Sequence, residues 1–422
     1  MAGIDIISDT TGQAIVESIK ALGTKLSGGK AVYGVHINSG DSSPSTAVTY
    51  LADAVGMTPA HMNYTTGQFE YGSWGSAFFL PRPCMLKTDG TVDYYLNESD
   101  YSKKADGTAS DIANTSYDGN AMMEWGNGTD LIWWKIVPDK GNSSSASLYV
   151  ANYQADDSFK CLNHYDIDGN VKAHFYTAIY NGSLDSNNKL RSVSGQTVMK
   201  SKSASQEMSY ASANGSGYYI EQFVDRLLIN MLLIIMSKSL DTQTAFGSGM
   251  SNNSGDESLL LATGTMDNKG LFYGENTGKA GVKVFGMENY WGNQWRRTAG
   301  LLLVNGTIKT KLTPSTKDGS TTTGYNTDGT GYIEIANSTP SGTSGGYTKT
   351  MLFTDSGMFP LSITGSSSTY YADVCWFNNA ITAFAFFGGA LHYGLQCGAS
   401  CVCLNAVAGC AWWPLGAPLS YK

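Results

Sequence analysis

The amino-acid sequence predicts an α+β fold, rich in loops and short strands, with a short helix near its start. Three features point there. The chain carries 49 glycines in 422 residues, about 12% against the roughly 7% usual in soluble proteins, and Ser, Thr and Asn crowd the same segments. Asp-Gly pairs recur at Asp89-Gly90, Asp106-Gly107, Asp118-Gly119, Asp168-Gly169, Asp318-Gly319 and Asp328-Gly329; this dipeptide suits the positive φ angles of tight hairpin turns. One long apolar stretch, residues 219–238, has the length and composition of a helix.

In chain order, residues 10–26 read as a short amphipathic helix. Asp9, Thr10 and Thr11 offer N-caps, and Gly28 and Gly29 end it. Ile15, Ile19, Leu22 and Leu26 follow 4-3-4 spacing, an a/d seam that serves either packing on the chain's own domain or a short oligomerising coil. From Lys30 to about Ser205 the pattern turns to β, with short runs such as Val92–Leu96 and His174–Tyr176 flanking the Asp-Gly turns. Apolar residues nearly encircle the 219–238 helix, so it should be buried. Residues 305–348 read as strands and long turns, and Gly331–Ile335 alternates. The tail from Ala383 is dense in aromatics and cysteines with almost no charge, so it must be woven into a core. The organisation expected is an N-terminal helix over 1–29, a β-rich region over 30–205, and a third region over 206–422.

Composition narrows the function. Charged residues make up 15% and the net charge is -8, with no basic stripe, so no nucleic-acid partner is expected, because phosphate binding needs clustered positive charge. The 25 tyrosines and nine tryptophans suit either a recognition surface or a β-rich core. The opening MAGIDIISDTTGQ has no basic n-region or apolar h-region, so no secretory leader is expected. The most apolar run, Leu227–Met236, is half the roughly 20 residues that a membrane span needs, so no membrane insertion is expected either.

Few motifs suggest chemistry. Gly342-Thr343-Ser344-Gly345-Gly346 fits a nucleophile-elbow pattern but sits in a Gly/Ser tract with no helix after it. Asp166-Ile167-Asp168-Gly169-Asn170 has its glycine too early for a calcium loop and reads as a hairpin turn. Cys397, Cys401, Cys403 and Cys410 have spacing C-x3-C-x-C-x6-C; only the first two match structural zinc spacing, and no His pair follows. His392 is the histidine nearest these thiols in sequence. No metal, cofactor or catalytic residue is assigned. Gly286–Trp295, with a carboxylate, amides and three aromatics, reads as a tight turn held by buried Asn and Glu hydrogen bonds.

That last segment resembles the G-x-E-x-x-x-G-N-x-W signature of the C-type lectin fold in formylglycine-generating-enzyme-like proteins, through Gly286, Glu288, Gly292, Asn293 and Trp295. The tail, through Gly388-Gly389, Gly394, Cys397-Gly398-Ala399, Leu404 and Trp413-x-Leu415-Gly416-Ala417-x-Leu419-Ser420, resembles the variable region of diversity-generating retroelement target proteins. Tyr50–Met57 and Pro81–Met85 are similar to phage-tail and prophage members. The resemblance implies a C-type lectin-like domain over 206–422 with its variable region at about 383–422. It implies a frame, Gly286, Glu288, Gly292, Asn293, Trp295, Cys397 and Trp413, interleaved with ligand-binding positions altered through template adenines. Those positions map to Leu391, His392, Tyr393, Ser400, Cys401, Cys403, Asn405, Val407, Gly409, Cys410 and Pro414. Gln396 and Trp412 are interleaved too, though neither arises from an Asn codon.

On this resemblance the chain is a phage-tail receptor-binding protein, not an enzyme. Its partners would be a host cell-surface protein or glycan, other tail proteins and further copies of itself, a trimer first. It would be made in the bacterial cytoplasm and carried in the virion. A bacterial surface adhesin of the same family is the near alternative. A formylglycine-generating-like oxidase is the distant one, since no redox thiol pair maps onto the frame.

Overall fold

A computed structural model describes residues 29–126, 130–335 and 343–422. The expected N-terminal helix, with its Ile15, Ile19, Leu22 and Leu26 seam, lies outside the described residues. Helix accounts for 10% and strand for 35% of the described residues, which are mostly β and loop-rich, with few helices.

Three sheets build the body. A four-stranded antiparallel sheet runs Val48–Ala52, Val32–Ile37, Asn142–Ala151, Trp133–Asp139. A seven-stranded sheet runs Tyr218–Ile220, Leu419–Tyr421, Phe175–Ala178, Gly119–Trp125, Arg82–Lys87, Val92–Asn97, Asp100–Lys104. An eight-stranded sheet runs Ile333–Ile335, Thr307–Thr310, Trp295–Val304, Thr382–Phe387, Val402–Leu404, Val374–Asn378, Thr343–Tyr347, with Leu415–Gly416 beside Trp295 in parallel register. Several Asp-Gly pairs turn as expected: Gly90, with φ 85°, closes the hairpin between Arg82–Lys87 and Val92–Asn97, and Asp166–Asn170 turns a short loop bridged at Tyr165 and Val171. Thr343–Tyr347 is a strand paired to Val374–Asn378, not a strand-to-helix elbow.

Three helices stand among the described residues. α1, Ala204–Ser212, begins with a capping box: the Ser203 hydroxyl accepts from the Gln206 backbone N–H, and the Gln206 side chain accepts from that of Ser203. α2, Phe223–Ser237, has all fifteen residues buried, as its encircling apolar pattern requires. It starts later than residue 219 because Tyr218–Ile220 is drawn into the seven-stranded sheet by Leu419–Tyr421. α3, Thr242–Phe246, is capped by Asp241, which accepts from the Thr244 N–H. Among the described residues no helix is long and apolar enough to cross a membrane.

The largest apolar cluster reaches from Val35 to Leu404, with α2 at its heart. Full burial of one Leu or Phe contributes about 1.5–3 kcal/mol, so a helix buried on every side anchors the layers around it. Strands from 30–205 and from 206–422 share the seven-stranded sheet and this core, so the two regions pack as one body. The aromatic excess goes largely inward: Trp74, Trp125, Trp134 and Trp291 are fully buried.

Polar side chains of α2 reach specific partners. Asn230 donates to the Ala399 carbonyl at 2.9 Å and accepts from the Tyr290 hydroxyl at 3.1 Å. Arg226 reaches Glu221 at 3.4 Å, and Glu221 also takes Arg296 at 2.9 Å and the Thr298 hydroxyl at 2.8 Å. Burial works against the Glu221 charge, but the Arg296 and Arg226 guanidiniums hold its carboxyl below the ordinary range. This network ties α2 both to the long strand at Trp295 and to the loop around Ala399.

Candidate functional site

The Gly286–Trp295 segment is structural, as its residue types suggested. Gly286, Asn289, Gly292 and Asn293 all take positive φ, which winds the segment into consecutive tight turns. Glu288 is buried and accepts from the Gly264 and Met266 N–H groups at 2.9 and 2.7 Å. Burial raises its carboxyl to about 7, with Lys283 opposing the shift. Asn293 accepts from the Leu261 N–H at 2.9 Å and donates back to the Leu261 carbonyl at 3.4 Å. Glu288 and Asn293 thereby pin the 261–266 loop against the segment. Trp291 donates its indole N–H to Gly247 at 2.9 Å, and Trp295, 2% exposed, packs edge-on against Trp376, Phe386 and Tyr393.

On this base lies the segment 391–414. Its backbone is fastened at several points: Leu391 N–H to Asn293 at 3.1 Å, Ser400 N–H to Asp373 at 2.7 Å, and Trp295 N–H to Pro414 at 2.8 Å. Arg297, fully buried and paired with Glu207 at 2.5 Å, donates to the Cys410 carbonyl at 2.8 Å and supports the 407–412 turn from beneath. Between the fastenings, His392, Val407, Gly409 and Trp412 stand exposed, the last at 54%. Tyr393, Gln396, Asn405, Cys410 and Trp413 are half-buried. An added Cβ at Gly409 would meet nothing within 4 Å, so that position has room for a side chain.

Other mapped positions turn inward. Leu391, mapped as a ligand-binding position, is fully buried and cannot reach a ligand at the surface. Cys401 and Cys403 fill a small core with Trp295, Phe386, Ala390 and Leu415. Ser400 and Pro414 are buried as well. Alternate side chains of the central strand Val402–Leu404 point to opposite faces, and both faces are covered: Cys401 and Cys403 face that small core, Val402 and Leu404 the main one. Trp413, placed in the frame by its motif, is half-buried, and its ring lies 5.8 Å from that of His392.

Ser201, Gly255, Glu257, His392, Trp412, Trp413 and Pro414 together line an open groove of about 620 Å³. Partial burial lowers the His392 imidazole below its ordinary value and so favours its neutral form. Glu257 pairs with Lys200 at 2.9 Å on the rim. Sequence reasoning missed Ser201, Gly255 and Glu257 because residues near 200 and 255 carry no motif and meet the tail only in the folded chain. The one signal that could have found part of the site is the Ser203-x-x-Gln206 capping box that opens α1, whose Glu207 anchors Arg297 beneath it.

Three of the four clustered cysteines are closed off from solvent, and Cys410 is half-buried. Cys397, Cys401 and Cys403 are buried thiols, and burial pushes all three up, Cys403 to about 12. Among the described residues no group of three or more His, Cys, Asp or Glu side chains is placed to hold a metal ion. No family model matches the chain, and no curated protein matches it.

Proposed function

We propose that this chain is a phage-tail receptor-binding protein with a C-type lectin-like scaffold, which binds a host-surface protein or glycan through a face diversified by a retroelement. The observation that carries the reading is the division within 391–414. Frame residues Trp295, Asn293 and Cys397 are buried and bonded, while His392, Val407, Gly409 and Trp412 stand in solvent on a backbone fixed at many points. Diversity is tolerated where the fold does not depend on the side chain, and rigid support keeps such positions in place for binding. The inward residues Leu391, Ser400, Cys401, Cys403 and Pro414 belong with the frame on this reading. The groove between His392, Trp412 and Glu257 is the binding centre, since exposed aromatics supply large contact area at low entropic cost. Thiols buried and held protonated favour binding over the redox chemistry of the oxidase branch. Assembly into a trimer with other tail proteins would multiply weak single-site affinity by about 10²–10⁴.

The test is retention of the labelled full chain on a panel of bacterial cells. One or more strains should retain it. Joint replacement His392→Ala and Trp412→Ala should reduce that retention at least tenfold while leaving the melting temperature nearly unchanged. Retention that survives the double replacement would overturn the site assignment.

A further inference from the structure

Lys422 and Asp225 meet inside the core. Lys422 directly follows the strand Leu419–Tyr421, and Asp225 lies in the first turn of α2. The Lys422 Nζ stands 2.5 Å from Asp225 Oδ1, with side chains 0% and 1% exposed. On its other side the amine faces the Phe175 ring at 4.6 Å from the centroid. Asn163 donates its Nδ2 to Asp225 Oδ1 at 2.9 Å and to the Val224 carbonyl at 3.0 Å, while its own Oδ1 accepts from the Trp134 indole at 2.8 Å. The Asn163 amide is therefore held with its donor aimed at the carboxyl. Asp225 Oδ2 is buried and has no hydrogen-bond partner among the described residues.

For an ion pair this is a poor setting. An ammonium has three donors and a carboxylate about four acceptor positions, and burying them with so few partners is costly. Burial pushes the Lys422 amine down and the Asp225 carboxyl up, so each is driven toward its neutral form. A neutral amine is a nucleophile, and a protonated carboxyl can lose its hydroxyl as water.

We propose that Lys422 Nζ and Asp225 Cγ condense into an intramolecular isopeptide bond. A proton passes from the ammonium to the carboxylate. The amine lone pair then attacks Cγ, and the charge that develops on Oδ1 is stabilised by the Asn163 N–H. The bond from Cγ to Oδ2 breaks, and Oδ2 leaves with two of the three former ammonium protons as water. No oxidant, reductant or further reactant enters. The product needs one acceptor and one donor satisfied: its carbonyl keeps Asn163, and its N–H faces the Phe175 ring. The link ties the strand Leu419–Tyr421 to α2 and closes a covalent ring from residue 225 to residue 422. It is independent of the ligand-binding face.

The experiment is mass spectrometry of the purified full chain, denatured and reduced. The expected intact mass is one water below that of the linear sequence, and proteolysis releases a branched peptide joining the Asp225 segment to the segment ending at Lys422. Asp225→Ala and Lys422→Arg should each restore the full mass and abolish the branched peptide. The wild-type digest decides even if both variants fail to fold. A full linear mass overturns the proposal, as does a mass one water lower with the two segments released as separate peptides, since a succinimide elsewhere would give that result.

Discussion

At the scale of single residues, two neighbours in the tail should behave in opposite ways. Leu391 is fully buried, so Leu391→Ala removes packed methyl groups and leaves a cavity; the expected loss is about 2–5 kcal/mol. Trp412 is mostly exposed, and truncating it should change stability by no more than about 0.5 kcal/mol, though a central interface aromatic of this kind is often worth about 2 kcal/mol or more in binding. Denaturant melts of both single variants check the contrast. Equal destabilisation would mean that Trp412 also belongs to the core. The motif spacing treats both residues as interleaved positions, and only the Leu391 N–H bond to Asn293 and the packing around it reveal which way that side chain turns.

At the scale of elements, Asp373 and the loop it supports carry a pH signature. Asp373 precedes the strand Val374–Asn378, is buried, and accepts from the Ser400 N–H at 2.7 Å, while its Oδ1 has no partner among the described residues. Burial first, then the Asp241 carboxylate, pushes its carboxyl well above the ordinary range. The folded chain thus keeps a proton that the unfolded chain releases. This stabilisation is full below the ordinary carboxylate value and is lost as pH rises through the folded value. Asp373→Asn can keep the bond to Ser400 and removes the titration. Its melting temperature should therefore fall less with rising pH than that of the wild type; parallel profiles would contradict this. Elements set by local pattern were legible: the encircled α2, the Asp89-Gly90 hairpin, and the alternating run that holds the strand Ile333–Ile335. The strands Tyr218–Ile220 and Leu419–Tyr421 were not, because each is short and forms only through pairing with strands distant in the chain: Leu419–Tyr421 lies between Tyr218–Ile220 and Phe175–Ala178. The signature turn was legible because Gly, Asn and Glu at fixed spacing state their own backbone and hydrogen-bond needs. The rest of the groove lining was not, since Gly255 and Glu257 meet His392 and Trp412 only through tertiary folding.

At the scale of the whole molecule, the chain is one mostly β body whose last strand returns to a sheet built from its first half. A multivalent tail fibre would present several such bodies side by side. The Ile15, Ile19, Leu22 and Leu26 seam is the expected contact, so light scattering should give a trimer for the full chain and a monomer for a chain lacking residues 1–29. Two monomers would remove the seam from the account. The central claim is that a fixed frame carries a face altered by template adenines, and the coding DNA with its flanks tests this most directly. Sequencing the gene across its natural population should show substitutions gathered at the codons of His392, Tyr393, Asn405, Val407, Gly409 and Cys410, with Trp295, Cys397, Leu404 and Leu415 unchanged. A near-identical repeat beside a reverse transcriptase gene should carry adenines at those same codons. Substitutions spread evenly along the chain, with no such repeat, would contradict it.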